Sequence, residues 1–221
     1  MVETAEPHVA THRRLLLARV LHGLVVAMVL AGVGTELARA LIDGPGIAGT
    51  MAERLTRLFS YFTIDSNLLI GVVSAMLVVR PERDGRVFRV FRLAAVLGIA
   101  VTGIVFHAVL TGLQELTPSG AFANLMLHTT VPVVALVAWL WVGPRPRVSW
   151  VTVWWATVPP LTWIVYTFTR GAIVGWYPYP FLNVIDLGYP RALLDAAVVA
   201  VVFLVLAAAA LLVDRRLPPA P

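Results

Sequence analysis

The sequence predicts an all-α polytopic membrane protein: a bundle of six transmembrane helices in a single domain over residues 1–221, with both termini in the cytoplasm. Three observations support this fold class. Of the 221 residues, 59% are apolar and only 13% are charged, whereas a soluble domain has about 45–50% apolar and about 25% charged residues. The apolar residues form six long runs, and the mean hydropathy is +0.86. The arginines alternate between the loops that join these runs.

Each of the six runs is long enough to cross a bilayer, which takes roughly 20 mostly apolar residues in a helix. Turn-forming and helix-breaking residues separate them, for example DGPG at 43–46, TPSG at 117–120 and GPRPR at 143–147. The predicted spans, in chain order, are residues 15–41, 58–79, 91–113, 122–142, 150–170 and 192–213.

All 17 basic residues are arginines, and their positions indicate the orientation of the chain. Twelve lie at the amino terminus, in the second and fourth loops and in the carboxyl-terminal tail: Arg13, Arg14, Arg19, Arg80, Arg83, Arg86, Arg89, Arg92, Arg145, Arg147, Arg215 and Arg216. The other five lie on the opposite side: Arg39, Arg54, Arg57, Arg170 and Arg191. Because arginine-rich loops stay in the cytoplasm, both termini are predicted to be cytoplasmic. The net charge of +5 therefore reflects topology and contact with anionic lipid, and it does not indicate a nucleic-acid partner.

The composition excludes several kinds of chemistry. The chain contains no cysteine, which excludes disulfides, a thiol nucleophile, cysteine-ligated zinc and iron–sulfur clusters. It contains no lysine for a Schiff base and no HExxH or nucleotide-binding motif, so no cofactor and no dedicated metal are predicted. One metal alternative stays open, because Asp65, His107 and His128 could supply the three protein ligands of a zinc hydrolase.

The few polar residues within the predicted spans gather in the outer half of the membrane. With a rise of about 1.5 Å per residue, Thr63 in the second span and His128 in the fourth lie at a similar depth. Other spans contribute polar residues to the same half: Glu36, Asp65, Asn67, His107, Asn124, Tyr166, Arg170 and Asp195. Polar groups inside a bilayer are costly and usually functional, so this clustering predicts one polar chamber that opens toward the outer leaflet. His22 lies in the inner half and is expected to be a core histidine bonded to a neighbouring helix.

A threonine hydroxyl and a histidine at one depth predict nucleophilic catalysis. A hydroxyl becomes an effective nucleophile when a base takes its proton, and histidine is the side chain best suited to act as that base near neutral pH. Thr63 is therefore the candidate nucleophile, with His128 or His107 as its base. The side chains that could donate a hydrogen bond to the oxyanion are Asn67, Asn124 and Tyr166.

Two charged residues and one loop each allow two interpretations. Asp65 could orient the histidine, as in a catalytic triad, or pair with Arg57 or Arg170. Arg170 could hold a substrate carboxylate or extend outward to the lipid headgroups. The segment 175–183, GWYPYPFLN, could be a lid whose Trp176 and Tyr177 contact the substrate, or it could anchor the chain at the membrane interface, where aromatic residues are enriched.

Three motifs resemble a bacterial family of six-helix integral membrane proteins of the Pr-six-Pr type. They are FSYFTIDSN at 59–67, NLMLHTTVP at 124–132, and YTFTRG at 166–171 running into WYPYPFL at 176–182, and the resemblance covers residues 15–213. This bacterial type is similar to the FAR/androgen-induced-gene membrane hydrolases, which cleave fatty acid esters of hydroxy fatty acids with a threonine nucleophile and a histidine. The resemblance implies that Thr63 is this nucleophile, that His128 is this histidine, and that the protein lies in a bacterial plasma (inner) membrane. The bacterial type differs by one additional residue between the threonine and the asparagine and by its Trp-Tyr-Pro-Tyr loop.

Three functions stay open at this point. The first is a lipid-ester hydrolase that acts on a membrane lipid or fatty acyl ester entering from the outer leaflet. The second is a small-molecule or proton-coupled transporter, for which three spans per half would suit an inverted repeat; however, the sequence shows no internal repeat and its polar residues stop halfway across. The third is a non-catalytic lipid-binding protein. The sequence points to no protein partner.

Overall fold

The computed structural model describes residues 6–113 and 116–217, with side chains from residue 12 onward, and this part of the chain is helical without any strand. A short 3₁₀ turn, Gly46–Ala48, precedes α2, and another, Pro180–Leu182, precedes α9. The α-helices are α1 (Glu6–Ile42), α2 (Met51–Leu58), α3 (Phe62–Val79), α4 (Arg86–Val105), α5 (Pro118–Leu125), α6 (Val131–Val142), α7 (Trp150–Ala156), α8 (Val158–Val174) and α9 (Val184–Arg216).

Five helical segments are long and apolar enough to cross a membrane: His12–Ile42, Phe62–Val79, Arg86–Leu110, Pro118–Val142 and Val184–Arg216. The prediction of an all-α, multi-pass membrane bundle is confirmed at this level. The predicted fifth span, 150–170, is divided at Thr157 into helices of 7 and 17 residues. Pro159 and Pro160 follow this break, and because proline has no backbone N–H, neither residue can continue the hydrogen bonding of α7.

Helix α4 occupies the centre of the bundle. All residues from 92 to 103 are buried, and α4 packs against α3, α6, α7 and α9, while α1 packs against α3, α5 and α6. Helices in a membrane associate through close packing of small residues. On α9 these are the buried alanines Ala192, Ala196, Ala207 and Ala210.

Helix α8 stands apart from the other long helices. Only Thr167 and Gly171 are buried among its described residues, and it reaches the bundle through large side chains such as Trp163, which packs beside Phe62. The loosely packed α8 leaves room for a cavity between itself, α3 and α9, which is described below.

The second predicted span, 58–79, begins later in the structure. Residues 51–58 form the separate helix α2, whose first turn is capped by the Thr50 side chain accepting from the Glu53 N–H at 3.1 Å. Tyr61 is extended and α3 begins at Phe62. This boundary places Thr63 in the first turn of α3, where backbone N–H groups have no partner within the helix.

The arginine-rich segments meet at one end of the bundle, called here the arginine end. Arg14 of α1 donates to the Trp141 carbonyl at 3.3 Å, and Arg92 of α4 donates to the Pro144 carbonyl at 3.2 Å. Asp214 near the end of α9 accepts from the Arg147 N–H at 2.7 Å.

Candidate active site

Two π-helical turns, Phe106–Leu110 after α4 and Met126–Thr130 between α5 and α6, face each other and each carries one histidine. The Phe106 ring stacks on the His128 ring at 4.1 Å between centroids, and His107 Nε2 lies 3.1 Å from Thr129 Oγ1. Gly103 permits this close approach, since a Cβ there would lie 3.3 Å from the His128 carbonyl oxygen. Such π turns within α-helices are rare and frequently lie at functional sites.

The structure brings Thr63 and His128 into contact. Thr63 Oγ1 lies 3.2 Å from His128 Nε2, and His128 Nδ1 lies 3.2 Å from the backbone carbonyl oxygen of Asn124. A carbonyl only accepts hydrogen bonds, so Nδ1 carries the proton and, in the neutral imidazole, Nε2 is an acceptor. The Thr63 hydroxyl therefore donates to His128, in the arrangement of a nucleophile, a base and a group that orients the base.

Tyr179 supplies a third group at the same point. Its hydroxyl lies 3.1 Å from Thr63 Oγ1 and accepts from the Thr63 backbone N–H at 3.1 Å. Because the Thr63 hydroxyl proton points to His128, the Tyr179 hydroxyl donates to Thr63 Oγ1. Burial raises the pKa of the Tyr179 phenol above its ordinary value, so this group stays protonated and remains a donor.

Asn67 and Ser66 hold α3 in register with the helices around it. Asn67 is fully buried, and its side-chain amide donates to the Thr63 carbonyl at 2.8 Å and to the Leu127 carbonyl at 3.2 Å. Ser66 Oγ lies 2.8 Å from Thr102 Oγ1 of α4. Since Leu127 immediately precedes His128, Asn67 fixes the distance between the nucleophile and the base.

An apolar cavity of about 40 Å³ lies beside Thr63, where α3, α4, α8, α9 and the segment 175–183 meet. Its polar lining comes from Thr63, Thr102 and Tyr179. The apolar lining consists of Phe62, Val101, Val105, Leu110, Trp163, Ile164, Phe181, Leu182, Ala196 and Val199. A cavity of this size holds a few water-sized groups, enough for an ester carbonyl and its nearest methylenes.

The segment 175–183 packs into the bundle. Tyr177 and Tyr179 are 9% and 8% exposed, and Leu182 is 1% exposed. Gly171 of α8 permits this packing, because any side chain there would overlap the Tyr177 ring. Tyr177 is one of the two residues of this segment that the sequence predicts to contact a substrate, and it therefore lies against α8.

Trp176, the other of those two residues, lies within cation–π distance of two guanidinium groups. The Cζ atoms of Arg57 and Arg170 lie 5.2 and 5.3 Å from the centre of the Trp176 ring. Both arginines pair with Glu53 of α2, at 2.8 and 2.6 Å, and their hydrogen bonds hold the pKa of Glu53 below its ordinary value. The alternative in which Asp65 pairs with Arg57 or Arg170 is wrong, because both arginines pair with Glu53.

The other predicted residues lie around this centre without joining the hydrogen bonds of Thr63. Asp65 is exposed on the face of α3 that points away from the bundle. The group that orients His128 is therefore the Asn124 carbonyl and not the Asp65 carboxylate. Tyr166 contacts Ser60 Oγ at 2.7 Å, and the Ser60 hydroxyl itself donates to the Thr56 carbonyl at 2.6 Å. Asn124 contacts His128 through its backbone carbonyl and not through its side chain.

Within residues 6–113 and 116–217, no three His, Asp or Glu side chains come together as a group that could hold a metal ion. The alternative zinc set of Asp65, His107 and His128 is therefore not assembled.

Sequence reasoning missed Tyr179. The aromatic composition of 175–183 indicates that the segment matters, but only the contacts of the Tyr179 hydroxyl with Thr63 show which aromatic residue turns toward the nucleophile. The π turns were missed as well, and the one hint was Pro132, whose absent N–H disturbs the helix next to His128. No protein-family model, no curated protein and no solved structure matches this chain. The family resemblance stays a prediction.

Proposed function

We propose that this protein is an intramembrane lipid-ester hydrolase in which Thr63 is the nucleophile and His128 its general base. The observation that carries this proposal is the 3.2 Å contact between Thr63 Oγ1 and His128 Nε2, with Nδ1 held by the Asn124 carbonyl. The resemblance to the Pr-six-Pr type and to the FAR/androgen-induced-gene hydrolases supports the same two residues.

In the first half of the reaction, the Thr63 oxygen attacks the ester carbonyl while its proton passes to His128 Nε2. The Tyr179 hydroxyl, whose oxygen accepts from the Thr63 N–H at 3.1 Å, turns its proton from Thr63 Oγ1 to the former carbonyl oxygen and stabilises the negative charge there. When the carbon–oxygen bond of the ester breaks, His128 gives the proton to the departing alkoxide. The products are a free alcohol and an acyl group bound to Thr63.

In the second half, a water molecule replaces the alcohol. His128 takes a proton from this water as it attacks the acyl carbonyl, and the proton then returns to the Thr63 oxygen as the acyl bond breaks. A free fatty acid leaves, and the threonine hydroxyl is restored.

The apolar lining of the cavity favours a lipid substrate over a polar one. The cavity of about 40 Å³ takes the ester group, so the acyl chain extends into the space between α8 and α9 and from there into the bilayer. Arg170, whose guanidinium pairs with Glu53 at 2.6 Å, is the candidate contact for the free carboxylate of a substrate. Trp176 and Tyr61 connect Arg170 to Tyr179 through edge-on ring contacts of 5.8 and 5.5 Å.

The proposal includes six membrane crossings in a bacterial plasma membrane, with α7 and α8 together making the fifth. Their 25 residues, Trp150 to Val174, measure about 37 Å at 1.5 Å per residue, which exceeds the roughly 30 Å hydrocarbon core. The positive-inside rule then places the arginine end in the cytoplasm and Thr63 in the outer half.

The proposal is tested by measuring turnover of a panel of fatty acyl esters by the full chain in detergent micelles. The panel varies acyl length and includes esters with and without a free carboxylate, and mass spectrometry detects both the acid and the alcohol. We expect Thr63→Ala to abolish release of both products. Thr35→Ala is the matched control, because the Thr35 hydroxyl donates only to the Ala31 carbonyl of its own helix, at 2.7 Å.

Three outcomes would overturn the proposal. Equal turnover by wild type and Thr63→Ala would remove Thr63 from the chemistry. Tight binding of the esters without release of products would favour the non-catalytic lipid-binding function, and gradient-driven uptake of a solute into proteoliposomes without hydrolysis would favour a transporter.

A further inference from the structure

A second cavity lies at the arginine end, at the opposite end of α3 from Thr63. It lies among the loop 80–85, the start of α4, the loop 143–149 and the end of α9, and its volume is about 10 Å³. Its charged lining consists of four arginines against two aspartates, which leaves two positive charges in excess: Arg83, Arg89, Arg92, Arg147, Asp84 and Asp214.

Both aspartates already accept hydrogen bonds from other groups. Asp84 accepts two hydrogen bonds of 2.6 Å from Arg89 and one contact of 2.8 Å from Arg147. These contacts hold the pKa of Asp84 far below its ordinary value. Asp214 Oδ2 accepts from the backbone N–H groups of Arg147 and Val148, both at 2.7 Å.

Arg92 is left without an anionic partner at the wall of this cavity. Its side chain is buried, with the residue 7% exposed, and Nη1 donates to the Pro144 carbonyl at 3.2 Å. Its Nη2 is shielded from solvent and has no hydrogen-bond partner among the described residues. A buried guanidinium with an unused donor is costly unless an anion satisfies it.

Exposed tryptophans mark the depth of the cavity in the membrane. Trp141 and Trp150, on either side of the loop that holds Arg147, are 67% and 57% exposed, and Trp154 is 68% exposed. Tryptophan is enriched at the level of the lipid headgroups. The cavity therefore lies where phosphate groups of lipids are concentrated.

We propose that this cavity binds the phosphate of an anionic lipid headgroup, with one non-bridging phosphate oxygen entering it beside the Arg92 guanidinium. A void of about 10 Å³ has room for one water-sized group, so the rest of the phosphate stays at the mouth, beside Arg83 and Arg147. The excess of two positive charges favours anionic phosphatidylglycerol over zwitterionic phosphatidylcholine, whose choline it repels. Basic pockets between membrane helices are suited to such headgroups.

The test measures binding of phosphatidylglycerol and phosphatidylcholine to the purified full chain in detergent, by native mass spectrometry and by the lipid-dependent shift in Tm. We expect phosphatidylglycerol to bind and to raise the Tm of the wild type, and phosphatidylcholine to do neither. Arg92→Gln should weaken phosphatidylglycerol binding about tenfold or more, because it removes the buried positive charge from the cavity wall. Arg86→Gln, an equal loss of charge at an exposed residue outside the cavity, is the matched control and should bind like the wild type.

Arg83→Gln gives an independent variant if Arg92→Gln does not fold, because the Arg83 guanidinium lies over the Phe88 ring at the surface, 5.4 Å from its centre. It should weaken binding of phosphatidylglycerol by a smaller factor. Inorganic phosphate that competes with the lipid in the wild type, but not in Arg92→Gln, would support a phosphate site and assign it to a soluble ion. Equal binding of the two lipids, or equal loss of binding in Arg92→Gln and Arg86→Gln, would overturn the proposal.

Discussion

Besides the exposed contact of His107 with Thr129, the described part of the chain contains two histidine–hydroxyl pairs whose surroundings differ, an inner pair toward the arginine end and an outer pair toward the opposite end of the bundle. In the inner pair, His22 Nδ1 lies 3.3 Å from Ser74 Oγ; in the outer pair, His128 Nε2 lies 3.2 Å from Thr63 Oγ1. The sequence interpretation of His22 as a core histidine bonded to a neighbouring helix is confirmed. By the distance between nitrogen and oxygen alone, either pair would serve as a nucleophile and base.

The surroundings separate the two pairs. Ser74 is fully buried and His22 is 6% exposed, with neither lining a cavity described above. The outer pair has the Asn124 carbonyl to orient its histidine, the Tyr179 hydroxyl beside its oxygen, and a cavity at Thr63. A primary hydroxyl is less hindered than a secondary one, so Ser74 would be the better nucleophile by intrinsic chemistry. The comparison teaches that access and additional donors decide which pair is an active site.

The largest expected effect is on ester turnover, when the hydroxyls of Thr63 and Ser74 are removed one at a time. Thr63→Ala should reduce ester turnover to background, while Thr63→Ser keeps an oxygen there and should retain activity. Ser74→Ala should leave turnover per folded molecule unchanged and lower the free energy of unfolding by about 1–3 kcal/mol, because His22 loses its partner. Product release and thermal unfolding of the same preparations check both expectations. Loss of turnover in Ser74→Ala with intact folding would contradict the comparison.

The two histidines provide the second largest contrast. His128→Gln should lower kcat by about 10²–10⁴-fold, the range expected when a general base is lost. His22→Gln should alter the Tm and leave kcat of the folded fraction unchanged. Steady-state kinetics after size-exclusion chromatography distinguishes the two, and similar kinetic losses in both variants would mean that the effect is structural.

A smaller loss is expected from Tyr179→Phe, which removes only the phenol oxygen. Removal of one oxyanion donor costs about 10²–10³-fold in kcat in favourable cases, and KM should change little. The ring should keep its place, because it stacks on Phe181 at 5.3 Å and lies edge-on to Tyr61. Tyr166→Phe is the comparison, since that hydroxyl contacts Ser60. A greater loss in Tyr166→Phe than in Tyr179→Phe would move the oxyanion donor to α8.

The smallest effect concerns pH and the contact between α2 and α8. The pKa of Glu53 is held below its ordinary value of 4.5 by Arg57 and Arg170, so the stabilisation is fully present above pH 4.5 and is lost as the pH falls through the lowered value. The Tm of the wild type should therefore decrease below pH 4.5 more than that of Glu53→Gln. Glu82→Gln, at an exposed loop residue, should follow the wild type, and identical profiles of all three would exclude a role for Glu53.

The sequence was sufficient to predict an all-α membrane bundle, because twenty-residue apolar runs have few other solutions in a membrane. It was also sufficient to predict that Thr63 and His128 lie at one depth, since helical rise converts residue number into depth. It could not predict which face of each helix turns inward. Asp65 illustrates this: it lies two residues from Thr63 but points away from the bundle.

The features of the site that the sequence could not predict depend on contacts between segments that are distant along the chain. The role of Tyr179 depends on a loop folding back 116 residues along the chain to Thr63, and no local pattern specifies this. Asn67 was interpreted as an oxyanion donor, whereas its amide donates to two backbone carbonyls. The Pro159–Pro160 pair indicates a disturbed helix, but only the structure shows that a break at Thr157 divides the predicted fifth span.

The most direct test of the central claim identifies which residue reacts with an electrophile. The full chain is treated with a fluorophosphonate probe, which loses fluoride to an activated hydroxyl, and the labelled peptide is sequenced by tandem mass spectrometry. The account predicts one labelled residue, Thr63, and no label in His128→Gln or Thr63→Ala. Labelling of Ser74, or labelling that persists when Thr63 is replaced by alanine, would contradict it.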